Sequence, residues 1–277
     1  MNYIDESGQL SFFLKKIKRK EYFSFIKHNH GLWDKLRICV PHIGFYNRKT
    51  INIRKISKIY SDYKQPGGHI VSQNIINECL YFMANMHKFR NNIFLGLSAT
   101  GNTSTCDKKR TRKSAKIWEL FLRENSTVYD GLIWKRAALS GRLLELFCLI
   151  KDKKVIIVSP SQEGSDPRYK MSLFGKRFGI SDFTHIEISE KNASKDFNIV
   201  IGKLVNLCKN KKVDKVILFK AGPVGSAIIS RLHNKLDRTY MIDIGNALDV
   251  LDPTIKRNWT KGYKDTLRYH YGRYYVE

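Results

Sequence analysis

The chain alternates apolar runs with polar, Gly-containing turns, and its second half is the more regular. Residues 154–160, KVIIVSP, carry the unbroken β-branched run VIIV, the pattern of a strand buried on both faces. THIEIS (184–189) and TYMIDIG (239–245) read as further strands, and FNIVIGKLVNLCKN (197–210) as a helix. Residues 215–236, KVILFKAGPVGSAIISRLHNKL, read as strand, Gly-rich turn and helix. In the first half a basic amphipathic segment spans residues 10–20. EYFSFIKHNHG (21–31) then alternates Phe23 and Phe25 with polar residues before a turn, as a half-buried strand does. RICV (37–40) reads as a short strand ending at Pro41. Residues 70–89 place Ile76, Leu80 and Met83 at helical spacing, and NIFLGLS (92–98) is another strand. IWELFLREN (117–125) and LSGRLLELFCLI (139–150) read as helices. Strands alternating with helices imply a parallel sheet with right-handed crossovers, an α/β fold. Ligands of such sheets sit beyond the carboxyl ends of the strands, at helix N-termini.

Composition narrows this. At 277 residues the chain suits one α/β domain, and 42% apolar and 12% aromatic content excludes disorder. We divide it into a basic N-terminal segment (1–22), an α/β domain (23–255) and a basic, Tyr-rich C-terminal tail (256–277). No apolar run approaches the roughly eighteen residues of a membrane span. The first residues carry acids where a signal peptide carries bases, so a cytoplasmic location is expected. Five scattered cysteines lack metal or redox spacing and fit buried thiols. His28 and His30 share a strand face, but no third ligand accompanies them.

The charge changes the picture most. Fifty Lys and Arg against 25 Asp and Glu give a formal +25. An AT-rich genome raises Lys but should not suppress Asp and Glu so far, which favours a polyanionic partner: nucleic acid or an acidic membrane surface. The densest basic loop carries Lys108, Lys109, Arg110, Arg112 and Lys113.

Two segments could carry chemistry. In LFKAGPVGSA, Gly222, Pro223 and Gly225 form a strand-to-helix turn whose backbone N–H groups could meet a diphosphate, with Ser226 able to donate a hydrogen bond. It matches no standard nucleotide fingerprint, and a tight turn that needs glycines explains it equally well. The next strand ends in Asp243-Ile-Gly-Asn246, followed by Asp249 and Asp252, where a carboxylate could bind ribose, act as a base or merely cap a turn.

Together these pieces resemble the GT-D type glycosyltransferases, over most of the span from Phe23 to Pro253. An early family strand reads roughly Phe-Ser-Phe-Val-Arg-Tyr-Gly-Asp-Gly-Glu-Trp, and this chain has FSFIKHNHGLW. Gly67-Gly68-His69 resembles the family's Asp-Gly-His, IWKRAALSGRL its Arg/His-x-x-Ser-x-Gly-x-Leu, and AGPVGSAII with IDIGNALDVLDP its glycine turn and Asp-x-Gly-Ser-x-x-Asp-Pro. The resemblance implies a single Rossmann-like domain with a mostly parallel sheet and helices on both faces. It also implies transfer from a nucleotide sugar, most simply a UDP-sugar. Gly222, Pro223, Gly225, Ser226, Gly245, Asn246, Lys27, His30, Lys135 and Arg136 are then donor-binding candidates, and Asp249, Asp243 and His69 candidates for the base, in that order.

The departure is at the family's Asp-Gly-Glu, which is His30-Gly31-Leu32 here, with Lys27 in place of the upstream Arg. Imidazole and leucine do not replace carboxylates on Mg²⁺ or Mn²⁺. The expectation is therefore a metal-independent enzyme in which cations offset the leaving diphosphate. The charge points to DNA bearing hydroxymethylated or already glycosylated pyrimidines, as in a phage, as the acceptor, with the 108–113 loop and residues 15–20 on phosphates. A surface glycan or lipid-linked sugar, reached by peripheral membrane contact, is the alternative acceptor. A non-catalytic nucleic-acid-binding protein on a decayed transferase fold is the alternative of another class.

Overall fold

The structure, a computed structural model, describes residues 2–3, 6–28, 63–64, 70–85, 92–97, 127–161, 166–255, 260 and 262–274. Its strands are β1 (Asn2–Tyr3), β2 (Ser24–His28), β3 (Tyr63–Lys64), β4 (Ile70–Val71), β5 (Ile93–Leu97), β6 (Thr127–Asp130), β7 (Lys154–Pro160), β8 (Phe183–Ile188), β9 (Lys215–Phe219) and β10 (Thr239–Asp243). Eight of them form one sheet in the order β1-β6-β5-β2-β10-β9-β7-β8, with every pairing parallel. The short β3 and β4 pair with each other, antiparallel.

Helices cover both faces, as expected. On one side α2 (Gln73–Asn85), α6 (Phe197–Leu207) and α7 (Pro223–Leu232) pack Ile76, Phe82, Leu204 and Ile228 against Ile156, Val158 and Ile217. On the other, α1 (Glu6–Lys18), α3 (Ile133–Leu139), α4 (Leu143–Ile150), α5 (Phe174–Phe178) and α8 (Lys264–Tyr271) pack Phe13, Trp134, Leu146, Phe174 and Tyr271 against Val155, Ile157 and Val216. Successive residues of β7 thus enter opposite cores, which is why its sequence is apolar without alternation.

Two local readings needed correction. The alternation in residues 21–31 suggests one wet face, yet all five residues of β2 are buried, because β2 lies between β5 and β10 in the middle of the sheet. Ser24 finds an internal partner there: its hydroxyl lies 2.9 Å from His233 Nδ1. LSGRLLELFCLI is not one helix. Gly141 takes φ +74° and separates α3 from α4, and the His270 ring occupies the space a β-carbon there would need. RICV and IWELFLREN lie outside the described residues.

The chain leaves β2 toward β5 and β6 on one side and returns through β9 to β10 on the other. The sheet therefore reverses its winding between β2 and β10. Side chains from distant parts of the chain meet beyond the carboxyl ends of these two strands, where open α/β sheets bind ligands.

Candidate active site

Asp243 ends β10 and is 1% exposed. Its Oδ1 accepts a hydrogen bond from Gly245 N at 3.1 Å, and its Oδ2 lies 3.1 Å from the Ser226 hydroxyl. That hydroxyl is also 2.9 Å from the Lys27 carbonyl oxygen, so one serine in the first turn of α7 joins β2 to β10. Burial raises the Asp243 carboxyl to about 7, against the pull of Lys27, Ser226 and Gly245.

Lys27 is 4% exposed, and its ammonium makes no hydrogen bond or ion pair to a described residue. Burial lowers its pKa, while the carboxylates of Asp243 and, more weakly, Asp130 oppose that. The ammonium rests against Gly245, where an added β-carbon would stand 3.1 Å from Nζ. Gly245 also has φ +57°, so both backbone and neighbour call for glycine.

Two further carboxylates at this end of the sheet are each held by a cation. Asp130, at the end of β6, accepts from Leu132 N at 2.9 Å and pairs with Arg136 Nε at 3.0 Å. Asp249, buried in the 3-10 segment Gly245–Leu251, is paired with Lys220, which directly follows β9.

The glycine turn is open on its outer side. Gly222 has φ 55° and ψ −142°, which an L-residue rarely adopts, and a β-carbon there would meet no described residue within 4 Å. Pro223 occupies the first turn of α7, where its missing N–H costs nothing. Gly225 serves packing instead, since a β-carbon there would stand 3.1 Å from that of Phe219.

Three solved structures share this architecture. A selenomethionine-substituted structure of domain of unknown function 1792 (DUF1792) matches with TM-score 0.57 and 15% identity, over 89% of this chain and 79% of that one. A glycosyltransferase (DUF1792) from Streptococcus sanguinis matches with TM-score 0.59 and 12% identity, over 89% and 82%. A third, described as showing that the highly conserved domain has a distinct glycosyltransferase fold, matches with TM-score 0.56 and 14% identity, over 89% and 79%. The chain has the DUF1792 glycosyltransferase fold. This is the Rossmann-like, parallel α/β architecture that the GT-D resemblance implies. No family model matches the chain, and no curated protein matches it in sequence.

Within the DUF1792 fold, the structure gathers Lys27, Asp243, Ser226 and Gly245, and sets Gly222 at the start of the same helix as Ser226. Ser226, expected to face a donor, is 1% exposed and spends its hydroxyl inside the protein. Asn246 is half-buried at a kink in the 3-10 segment, and Lys135 is half-buried beside Arg136 on α3. His30, His69 and the 108–113 loop lie outside the described residues. Sequence patterning alone does not single out Asp130 or Lys220. The available signal for Asp130 was an acid followed by glycine at the end of an apolar run, TVYDG.

The described residues at this end of the sheet do not suit a divalent ion. Positions 30 and 32 are His and Leu, Asp249 is engaged by Lys220, and Asp130 by Arg136. Among the described residues no three His, Cys, Asp or Glu side chains come together as a metal site.

Proposed function

We propose that the protein transfers a sugar from a nucleotide sugar to an acceptor hydroxyl. The observation that carries this reading is the buried Lys27 ammonium, free of any described ion-pair partner, beside Asp243 at the switch point of a fold shared with glycosyltransferases. A buried cation is costly unless something offsets its charge, and a diphosphate does so.

In this reading the donor diphosphate lies over Gly222 at the N-terminus of α7, with Lys27 and Arg136 facing it. Asp243 is the base, ahead of Asp249, whose carboxylate is already engaged by Lys220. The acceptor hydroxyl gives its proton to Asp243 as its oxygen bonds to the anomeric carbon. The bond from that carbon to the phosphate oxygen breaks, and the nucleoside diphosphate leaves with the electron pair, its charge offset by Lys27. Protein cations supply the positive charge, so no metal is required.

We infer a UDP-sugar as donor and hydroxymethylated pyrimidines of DNA as acceptor, the latter because the +25 charge suits a polyanion. Incubating the protein with a panel of nucleotide sugars and with unmodified or hydroxymethylated DNA, with and without EDTA, tests all of this. Mass spectrometry of the nucleosides should show a hexose or pentose added only to the hydroxymethylated base, with EDTA present. Transfer to a glycan or lipid-linked sugar instead would reassign the acceptor. Absence of transfer and of donor hydrolysis would favour the non-catalytic reading.

A further inference from the structure

The last described helix presents a face that the site chemistry does not use. α8 is fixed to the domain: Leu267 and Tyr271 are buried, and the Tyr271 hydroxyl donates to the Ala138 carbonyl at 2.8 Å. Its outward side carries Lys264, Arg268 and Tyr269, with Arg273 in the turn that follows. Tyr269 is 85% exposed, the most exposed of the large apolar or aromatic side chains among the described residues.

This face continues onto α5. The Tyr274 ring lies 4.7 Å from that of Phe178, with the Arg273 guanidinium 4.8 Å above it. Arg177, next to Phe178, stacks over Tyr169 and donates to the Leu251 carbonyl at 3.2 Å. Leu251 ends the 3-10 segment that begins at Gly245, so Arg177 ties α5 to the segment that carries part of the candidate active site.

We propose that the α5–α8 surface docks a single-stranded stretch of nucleic acid. Arginines and lysines spaced along a rigid face suit a phosphate backbone, and an exposed tyrosine offers a base a stacking partner. A bilayer is the poorer fit. An interfacial helix inserts an apolar face, whereas the apolar side of α8 is already buried in the protein and its outward side has no aliphatic residue. The surface concerns the acceptor side of the proposed reaction. Its test reads binding without a donor, so it stands or fails separately from sugar transfer.

The experiment titrates wild type, Tyr269→Ala and the double variant Arg268→Gln/Arg273→Gln with a labelled oligothymidylate of about 20 nucleotides, long enough to span such a surface. A duplex of the same length and phosphatidylserine vesicles are titrated in parallel, over a salt series. All three side chains are exposed, so the variants keep the fold, which their melting temperatures check. Tyr269→Ala should weaken oligothymidylate binding about fivefold or more with little change in salt slope. The double variant should flatten the slope of log K against log salt by about 0.7 for each lost contact. Unchanged oligothymidylate binding in both variants overturns the proposal. So does vesicle binding that falls in the variants while oligothymidylate binding does not, or a preference for duplex that is indifferent to Tyr269.

Discussion

The Lys27 ammonium packs directly on Gly245: a β-carbon at position 245 would come within 3.1 Å of Nζ. The contact places a buried positive charge at the mouth of the β2–β10 crevice and leaves no room for a side chain that would cover it. Lys27→Met tests what that charge is for. Replacing a buried ammonium that has no described ion-pair partner by an apolar side chain of similar length should hold or raise stability, by about 1 kcal/mol. Nucleotide-sugar affinity should fall tenfold or more. Calorimetric titration with UDP-sugars and a thermal melt separate the two effects. A lower melting temperature with unchanged affinity would make Lys27 a structural residue.

The Gly222 turn makes a different prediction, because its glycine is set by the backbone alone. Gly222→Val puts a β-branched side chain at φ 55° with no described residue to strike. The stability cost is that of the strained backbone, about 1–3 kcal/mol. The new side chain projects into open space over the α7 N-terminus, so donor affinity should fall by at least about tenfold if a diphosphate approaches there. A folded variant with wild-type affinity would leave the turn purely structural.

These two positions also show how far the sequence could be read. The glycine turn, the run in β7 and the strand ending at Asp243 were legible, because each is local and follows from periodicity and turn chemistry. Lys27 could be placed on a strand, but not in the interior. Its burial depends on β10, more than two hundred residues away, pairing beside β2. The Lys220–Asp249 pair has the same origin: the pairing of β9 beside β10, not spacing, brings it together, whereas Asp130 and Arg136 are only six residues apart across the β6-to-α3 turn. Gly141 looked like part of a helix because nothing nearby in sequence announces the His270 ring that packs on it.

Ser226→Ala removes a hydroxyl that touches both the Lys27 carbonyl and Asp243. The buried oxygens it leaves cost about 1–3 kcal/mol of stability. The serine bond also lowers the Asp243 pKa, so its loss should move that carboxyl further above about 7. If Asp243 is the base, activity rises as pH passes its pKa, and the acidic limb of the pH–rate profile should shift to higher pH in the variant. A limb that stays in place would assign the titration to another group.

Acid stability should be governed in part by two buried histidines. Burial lowers His28 to about 3 and His233 to about 4, from an ordinary 6.5. A folded-state pKa below the unfolded one contributes stability that is present above about 6.5 and lost as pH falls toward the folded value. The melting temperature should therefore decline from about pH 6.5 to about pH 4, with a loss on the order of 2 kcal/mol for each histidine. His28→Phe tests the assignment. The His28 ring already stacks on Phe82, at 6.4 Å between centroids, so a phenyl ring suits the site. The variant cannot take up the proton, and its melting temperature should fall less steeply over that range than the wild type's. Asp243 acts in the opposite sense: its raised pKa contributes stability at low pH that is lost as pH rises through about 7. Equal slopes in wild type and His28→Phe would show that His28 binds no extra proton on unfolding, and that the acid limb arises elsewhere.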